Sequence, residues 1–483
     1  MVVTLHMLTV LWLTARQAET KGRLYRRIAS ELSFQHASPA QFRADTLTTT
    51  AIATCPPFAY TVSKDMTLVK WELCTPISPQ GKPTKSPHKI RKRPNQVAYV
   101  KGNNNKAHDN TYQGHVDQIL TVAASADGKF VVTGGRDRRV IVWDATDLKP
   151  LRVFTQHRDA ITGLAFRRGT NQLYSSAKDR TIKTWSLDEL AYVETLFGHQ
   201  DEVVDVAALA QERCISVGAR DRTARLWKVV EETQLVFRGG GGEKKSKNAT
   251  SITYAEGSMD RVAMIDEEMF VTGCDNGSLL LFTLHKKKPI FTVPLAHGLD
   301  PPLRPDEASA DQNPDPVVPS PPQPRWITAL ATIPYSDVIL SGSWDGHVRA
   351  WKVSDDKRRI EPLGAVGVLR EPAPVANGID GHQTNGDHDA RKGSPVQAAE
   401  LGSTEQPVVR GVINDLSVFE RGERGKDGIC IVAAVGTEHR LGRWKKMKGK
   451  NGAVVFEVGR APPAANIEVG GDGKDATLGA ALT

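Results

Sequence analysis

Short apolar runs alternate with polar turns between Gly114 and Trp227, and this alternation repeats three times. Each unit opens near a His, carries an Asp in a polar turn, and ends in a Trp six residues after that Asp. The three tryptophans lie 42 residues apart. A period of about 40 residues with this punctuation is typical of a β-propeller blade, which is a four-stranded antiparallel sheet. The pattern therefore predicts an all-β chain built from such blades.

The recurring polar residues are predicted to form one hydrogen-bonded network per blade. The Asp lies in the turn between the second and third strands, where it can accept bonds from backbone amides and from the His. The Trp ends the third strand, and its buried indole N–H needs an acceptor. A hydroxyl four residues before the Asp is expected to supply it at Thr133 and Ser175, whereas Val217 breaks the pattern. Because the set recurs, we interpret it as structural and not as a hydrolase triad. Its predicted members are His115, Thr133, Asp137, Trp143, His157, Ser175, Asp179, Trp185, His199, Asp221, Trp227, Ser341, Asp345 and Trp351.

Further units extend the prediction to a seven-bladed WD40 propeller over residues 33–458. The fifth blade carries Asn276 and Phe282 where the others have Asp and Trp, so packing is expected to hold it. The seventh blade has Glu438 for the Asp, ends its phrase at Trp444, and takes Val454 to Val458 as its outer strand. Blades one, five and seven are predicted at Ser33–Leu73, Val236–Leu284 and Val408–Val458.

Outside the blades, the pattern predicts one short helix and several loops. Leu24, Ile28 and Leu32 fall on one face of residues 21–32, which indicates a helix that docks on a partner or packs on the propeller. Residues 1–20 form an atypical N-terminus with no assigned role. Low-complexity composition marks loop insertions and a disordered tail. The insertions are predicted at residues 74–112, 238–250, 299–324 and 361–407, and the tail at 459–483.

The overall charge favours an anionic partner. The chain of 483 residues has a formal net charge of +8 and a pI of about 9.1. A basic balance of this kind suits nucleic acid. The five cysteines are scattered without a C-x-x-C pair, which argues for a reducing compartment and against a zinc site. No Walker A, G-x-S-x-G, H-E-x-x-H or kinase motif occurs, so no catalysis, cofactor or metal is predicted.

Basic residues flank the turn Asp in four consecutive blades. These turns emerge on one face of a propeller, where an arc of Lys and Arg would suit a phosphate backbone. Solvated turn residues, or partners of nearby acids, are the alternative interpretation. A second basic cluster precedes Trp444 in the last blade. The candidate RNA-binding residues are Lys64, Arg136, Arg138, Arg139, Lys178, Arg180, Arg220, Arg222, His439, Arg440 and Arg443.

A basic block in the first insertion points to a separate function. Lys89, Arg91, Lys92 and Arg93 lie directly before Pro94. Such a block is typical of a nuclear import signal, while a solvated loop or an RNA contact are the alternatives. With the basic charge of the whole chain, we take nuclear import as the expectation.

Four stretches resemble one family more closely than they resemble a generic repeat. They are HRDAITGLAFRRGTNQLYS at His157–Ser175, YVETLFGHQD at Tyr192–Asp201, TQLVF at Thr233–Phe237 and EHRLGRW at Glu438–Trp444. In these phrases the chain is similar to the WD40 protein of the U3 small nucleolar ribonucleoprotein. The matching phrases are spread from about Lys21 to Val458.

The resemblance implies a non-catalytic seven-bladed propeller in the nucleus and nucleolus. It implies binding to the box B/C region of U3 snoRNA, together with box C/D core proteins that include the kink-turn binder. It also implies membership of the small-subunit processome, with contacts to its other proteins, in the processing of pre-rRNA toward 18S rRNA. Neither a membrane nor a small-molecule substrate is implied. The charged N-terminal extension of the family has no counterpart in residues 1–20.

A WD40 adaptor is the competing hypothesis. Its basic turns would bind acidic or phosphorylated peptides for a ubiquitin ligase or another protein complex, although the sequence shows no F-box-like docking segment. A propeller enzyme is disfavoured because the sequence shows no converging set of acid and base residues.

Overall fold

Twenty-eight strands form seven four-stranded antiparallel sheets within the residues that the computed structural model describes. Those residues are 25–43, 45–74, 90–109, 111–239, 254, 257–302, 322–367, 407–422 and 425–461. The helices among them are two single 3₁₀ turns, at Ala29–Glu31 and Asn104–Lys106. The predicted all-β, seven-bladed propeller is confirmed.

The first strand, β1 (Ser38–Phe42), stands apart from the strands that follow it, because the next six blades each use four consecutive strands. Blade one contains β2 (Thr49–Cys55), β3 (Phe58–Ser63), β4 (Thr67–Cys74) and β5 (Ile90–Lys101). Blade two contains β6 (Ile119–Ala124), β7 (Phe130–Gly135), β8 (Val140–Asp144) and β9 (Pro150–Phe154). Blade three contains β10 (Ile161–Phe166), β11 (Gln172–Ala177), β12 (Thr181–Ser186) and β13 (Ala191–Phe197).

The remaining blades follow the same order. Blade four contains β14 (Val203–Ala208), β15 (Arg213–Gly218), β16 (Thr223–Lys228) and β17 (Thr233–Arg238). Blade five contains β18 (Met259–Met264), β19 (Met269–Cys274), β20 (Leu279–Thr283) and β21 (Phe291–Val293). Blade six contains β22 (Ala329–Thr332), β23 (Val338–Gly342), β24 (Val348–Val353) and β25 (Ile360–Ala365). Blade seven combines β26 (Val412–Glu420), β27 (Ile429–Gly436) and β28 (Gly452–Val458) with β1.

The first strand of each blade lies next to the centre of the ring, and the fourth lies at the rim. The innermost strands contact one another around the ring, as β2 contacts β6 and β26. Neighbouring blades cover both faces of the middle strands, so β27 is buried at every residue. A strand covered on both faces reads as a continuous apolar run, and the sequence ICIVAAVG in β27 has this character.

The N-terminal strand closes the ring. Strand β1 pairs antiparallel with β28, from Ser38 opposite Glu457 to Phe42 opposite Ala453. The prediction that Val454 to Val458 form the outer strand of blade seven is therefore wrong, because this segment belongs to the third strand and β1 covers its edge. An uncovered edge would leave a row of backbone groups unpaired, which explains why the chain end is used there.

Two predicted insertions contain a blade strand. Blade one takes its fourth strand, β5, from within residues 74–112, and that strand pairs with β4. Blade six takes β25 from the start of residues 361–407, and that strand pairs with β24. Strand β5 is rich in polar residues and β25 (IEPLGA) contains Pro and Gly, so both resemble the loop sequence beside them. Composition alone therefore hides them.

The predicted helix at residues 21–32 is wrong over the part that the structure describes. From residue 25 the segment is extended, with a parallel bridge between Arg26 and Ser336, before the single 3₁₀ turn. The carboxylate of Asp337 accepts the backbone N–H groups of Ile28 and Ala29 at 2.8 and 3.0 Å. Tertiary hydrogen bonds to blade six thus replace the helical ones.

Blade five is held by aromatic packing, as its substitutions predict. Phe282 stacks on Phe270, with ring centroids 4.9 Å apart and planes 6° apart. Phe237 of blade four meets Phe270 edge-on at 5.1 Å. These rings fill the space that a Trp occupies in the regular blades.

Several predictions concern residues outside the described part of the chain. They are residues 1–20, Lys89, and the segments 240–250, 303–321, 368–406 and 462–483. Of the predicted tail, Gly459 to Ala461 are described, and Arg460 forms a bridge with Leu32. Of the basic block, Arg91, Lys92 and Arg93 lie in β5, and nuclear import stays a prediction.

Candidate nucleic-acid interface

Four blades contain a His–hydroxyl–Asp–Trp network. In blade three, His157 Nδ1 lies 2.8 Å from Asp179 Oδ2, and His157 Nε2 lies 2.7 Å from Ser175 Oγ. Trp185 Nε1 donates to the same hydroxyl at 2.8 Å. Since an ionised carboxylate can only accept, Nδ1 carries the proton, and the hydroxyl donates to Nε2 while it accepts the indole N–H. The equivalent sets are His115, Thr133, Asp137 and Trp143 in blade two, His199, Ser216, Asp221 and Trp227 in blade four, and His297, Ser341, Asp345 and Trp351 in blade six.

The Asp of each network also fixes the turn that carries it. Asp179 accepts the backbone N–H of Arg158 at 2.9 Å and that of Thr181 at 3.0 Å. Burial alone would raise the pKa of Asp179, but the hydrogen bond and charge interaction with His157 outweigh it and hold this pKa well below its usual value. Burial lowers the pKa of His157. The carboxylate therefore stays ionised and the imidazole neutral.

The residue after the turn Asp, or after Asn276 in blade five, adopts a left-handed backbone conformation in the first six blades. In blades one to six this position holds Met66, Arg138, Arg180, Arg222, Gly277 and Gly346, with φ between 51° and 81°. A left-handed backbone costs a residue with a Cβ about 1–2 kcal/mol, and glycine avoids that cost. Blades two to four thus place exposed arginines where blades five and six use the glycine that the backbone favours.

Two of the turn cations form ion pairs with nearby carboxylates. Arg136 lies 3.9 Å from Asp117, and Lys178 lies 2.8 Å from Glu202. Exposed pairs of this kind contribute at most about 1 kcal/mol and are readily exchanged. Within the described residues, no carboxylate lies within 4.0 Å of the guanidinium groups of Arg138, Arg180, Arg220 and Arg222. We call Arg136, Arg138, Lys178, Arg180, Arg220 and Arg222 the basic turn surface.

The connection between β27 and β28, residues 437–451, departs from the prediction. We call it the seventh-blade loop. It contains a single bridge, between Glu438 and Lys446, and no strand. Trp444 is 53% exposed, so it is not the buried Trp of a blade, and the prediction that it ends the phrase of the seventh blade is wrong. Glu438 and Trp444 have the six-residue spacing of the repeat, but they do not lie in the turn and third strand of a blade.

The seventh-blade loop gathers aromatic rings on the same face as the basic turn surface. The ring of Trp444 lies 5.4 Å from that of Trp326 and 4.6 Å from that of His439. Trp326 in turn lies 6.0 Å from Trp344. The side chain of Arg443, next to Trp444, is 69% exposed and lies 3.5 Å from Glu438 Oε2. An exposed aromatic ring beside cations is the arrangement on which proteins stack unpaired bases.

Comparison with known proteins identifies the family. The family model described as WD domain, G-beta repeat matches residues 108–144, 148–186, 191–228 and 321–352. The chain is 36% identical over 485 residues to Ribosomal RNA-processing protein 9 of Saccharomyces cerevisiae, covering 88% of this chain and 74% of that protein. It is 36% identical over 455 residues to human U3 small nucleolar RNA-interacting protein 2, covering 92% and 75%. A solved structure, of RRP9 WD40 repeats, matches with a TM-score of 0.63 and 30% identity over 89% of this chain and 100% of that chain.

The chain belongs to the U3 snoRNA-interacting WD40 family. Members of this family are non-catalytic WD40 proteins, so the expectation that the chain is not an enzyme is confirmed. Within the described residues, no group of three or more His, Cys, Asp or Glu side chains could hold a metal ion. No helix in the same part of the chain is long and apolar enough to cross a membrane.

In this U3-family propeller, Arg440 lies inside the ring and not on its surface. Arg440 is 2% exposed. Its guanidinium donates to the backbone carbonyl oxygens of Thr162 at 2.6 Å and Val204 at 3.0 Å, across the central channel from blade seven. Its backbone N–H donates to Asn414 Oδ1 at 2.9 Å. We therefore correct the prediction that Arg440 contacts RNA, since it anchors the seventh-blade loop to blades three and four.

Two other predicted RNA contacts are buried, Lys64 beneath the same loop and His439 within it. Lys64 Nζ donates to the carbonyl oxygens of His439 at 2.7 Å and Gly442 at 3.2 Å, and is 3.3 Å from Glu438 Oε2. His439 is buried, and burial followed by the charge of Arg440 keeps its pKa well below the usual value. Arg139 also serves the fold, since its guanidinium donates to the carbonyl oxygens of Tyr112 and Gly114.

Charges inside the channel hold the loop anchor in place. Arg261 lies 3.5 Å from Asp205 and 3.5 Å from Asp415, and the charges of both carboxylates also favour the charged form of Arg440. Burial, with the charge of Arg261, lowers the pKa of Arg440 to about 10, so the guanidinium remains charged at neutral pH. Burial raises the pKa of Asp260 to about 7.

Sequence reasoning missed two members of the networks. In blade four the hydroxyl is Ser216, one residue before Val217, and it serves both His199 and Trp227. In blade six the His is His297, which the insertion at residues 299–324 separates from the rest of its blade. A search for His next to Gly in either order would have found His297, which precedes Gly298.

Proposed function

We propose that the chain is a non-catalytic subunit of the U3 small nucleolar ribonucleoprotein that binds U3 snoRNA at its box B/C region. In this role it scaffolds the small-subunit processome for pre-rRNA processing toward 18S rRNA in the nucleolus. Box C/D core proteins, including the kink-turn binder, are its neighbours there. The names of the relatives, which refer to U3 small nucleolar RNA and to ribosomal RNA processing, support the partner and the process.

The left-handed arginines carry the proposal that the chain binds RNA through its basic turn surface. Arg138, Arg180 and Arg222 occupy strained positions that glycine fills in blades five and six. Strained backbone conformations that the surrounding structure holds in place cluster at binding sites. The three side chains are exposed on consecutive blades, where guanidinium groups can form bidentate bonds to phosphates.

Trp444 supplies a complementary contact. Its exposed ring can stack on an unpaired base while Arg443 neutralises the adjoining phosphate. Because Arg440 and Lys64 fix the loop from below, this site is formed before RNA arrives, and less ordering entropy is lost on binding.

Replacement of Arg138, Arg180 and Arg222 by Gly tests the proposal without straining the fold. Glycine relaxes the left-handed backbone, so the variant should unfold close to the wild-type temperature. With a U3 snoRNA box B/C fragment, affinity should fall and the slope of log K against log salt should flatten by about 2–3, since each lost phosphate contact removes about 0.7–0.9.

A matched control removes three cations from turns at the opposite ends of the sheets. It changes Lys129, Lys149 and Arg358 to Gln, and the U3 fragment should bind it with the wild-type salt slope. Equal slopes for the glycine variant and the wild type would refute the role of the basic turn surface. Crosslinking of the wild-type chain in cells, followed by RNA sequencing, tests the partner. Without enrichment of U3 snoRNA over other RNAs, the adaptor hypothesis would replace this one.

A further inference from the structure

A cleft of about 690 Å³ lies at the rim of blade seven, beside the seventh-blade loop. We call it the rim cleft. Its walls come from the end of β1, the residues that lead into β26, and the last part of the seventh-blade loop. All three are connections at the end of the ring that carries the basic turn surface, because each leads into an innermost strand or links a second strand to a third.

Four cations border the rim cleft. Arg43, Arg410, Lys448 and Lys450 line it and are exposed. Within the described residues, no carboxylate lies within 4.0 Å of their basic groups. The acid next to this wall, Asp45, is buried and accepts the hydroxyl of Thr49 at 2.8 Å. The cleft therefore presents concentrated positive charge to solvent.

The segments that form the walls of the rim cleft pack against one another through their backbones. A Cβ atom added at Gly449 would lie 2.2 Å from the carbonyl oxygen of Arg410. A Cβ atom added at Gly452, whose φ is 155°, would lie 2.5 Å from the carbonyl oxygen of Phe42. Glycines at these two positions let the loop approach both neighbouring segments. The width of the cleft is thus set by main-chain packing and not by mobile side chains.

We propose that the rim cleft binds the phosphate backbone of the RNA strand that reaches Trp444. This inference rests on the proposed function and adds a second segment to the RNA path. Lys448 and Lys450 follow Trp444 on the same loop, so a strand whose base stacks on the ring can continue into the cleft beside these two cations. A volume of this size admits about one or two nucleotides.

RNA fits these observations better than an acidic peptide does. Cations stand on all three walls, Arg43 and Arg410 on one wall each and Lys448 and Lys450 on the loop, which suits a chain with one charge per nucleotide. The uncharged polar side chains that line the cleft are Gln41 and Asn451, and the amide of Asn451 is already bonded to the backbone of Thr437 and Thr46, so few groups are left to read a peptide backbone.

Neutralising the cleft tests the proposal. The test variant changes all four cations to Gln: Arg43, Arg410, Lys448 and Lys450. The matched control changes four exposed cations elsewhere to Gln: Lys129, Lys149, Arg358 and Arg359. With the U3 box B/C fragment, the cleft variant should flatten the salt slope by about 3, at about 0.7 for each single-strand contact, while the control keeps the wild-type slope. Unfolding temperatures should be alike in both.

Gly449→Ala provides a test that leaves the charge unchanged. The new Cβ would push the seventh-blade loop away from Arg410, so RNA affinity should fall severalfold while the intact cations keep the salt slope near its wild-type value. If both cleft variants bind the fragment like the wild type, and the arginine-to-glycine variant still binds weakly, the rim cleft is off the RNA path. If an acidic peptide binds the wild type but not the neutralised variant, with RNA binding unchanged, the cleft serves a protein. Failure of the wild type to bind any RNA would instead remove the proposed function itself.

Discussion

Replacement of Thr133 by Val should destabilise the propeller through two orphaned groups. The Thr133 hydroxyl accepts the indole N–H of Trp143 at 2.8 Å and lies 2.7 Å from His115 Nε2. Val keeps the shape of the side chain but satisfies neither group, and both are buried. At about 1–3 kcal/mol for each unsatisfied buried group, the free energy of unfolding should fall by about 2–6 kcal/mol. Urea unfolding followed by tryptophan fluorescence measures this as a lower midpoint.

Thr272→Val is the matched control, because Thr272 holds the same place in the degenerate fifth blade. Its hydroxyl is fully buried and has no hydrogen-bond partner among the described residues. Replacing an unpaired buried hydroxyl by a methyl group should leave stability unchanged or raise it by about 1 kcal/mol. If the two variants shifted the midpoint equally, the network would contribute nothing beyond packing, and our interpretation of it would be refuted.

Three further outcomes follow from buried groups. Burial raises the pKa of Asp260 to about 7, so the folded state binds more protons than the unfolded state between about pH 4 and 7, and the protein loses stability as pH rises through that window. The Asp260→Asn variant should therefore have a higher urea midpoint than the wild type at pH 8 but not at pH 4. Arg440→Lys replaces the two guanidinium nitrogens that bond Thr162 and Val204 by one ammonium on a shorter side chain, so it should cost about 1–3 kcal/mol and weaken RNA binding by loosening the loop, whereas a wild-type urea midpoint would contradict this anchoring role. Phe42→Ala should loosen the β1 closure by about 3–5 kcal/mol, since Phe42 packs edge-on against Trp71 at 4.7 Å, and a wild-type unfolding temperature would contradict this.

The Asp and the Arg of each basic turn serve different ends. Asp179 is tied to the backbone and to His157, and any regular blade needs it there. Arg180, the next residue, makes no comparable bond and adopts a conformation that its own backbone disfavours. The Asp therefore holds the turn in place, and the Arg, which the fold does not require, is free to bind a ligand.

Periodicity was sufficient to predict the ring. The Asp–Trp spacing, the His at the start of each unit and the hydroxyls at Thr133 and Ser175 depend on contacts within one blade, so they leave a regular signal along the chain. Blade five was also predictable, because Phe282 in place of Trp leaves the aromatic stack of Phe270 as the available packing. The signal fails where a contact joins distant segments, as β1 and β28 do at the closure of the ring.

The sequence by itself determined the number of blades, the place of the basic turns and the family. Only the tertiary structure decided which cations face solvent. Arg443 and Arg440 are three residues apart and chemically alike, yet one is exposed while the other crosses the channel to Thr162 and Val204. The physical reason is that Arg440 is buried by contacts with residues nearly 300 positions away in the sequence. A local sequence pattern carries no information on such contacts.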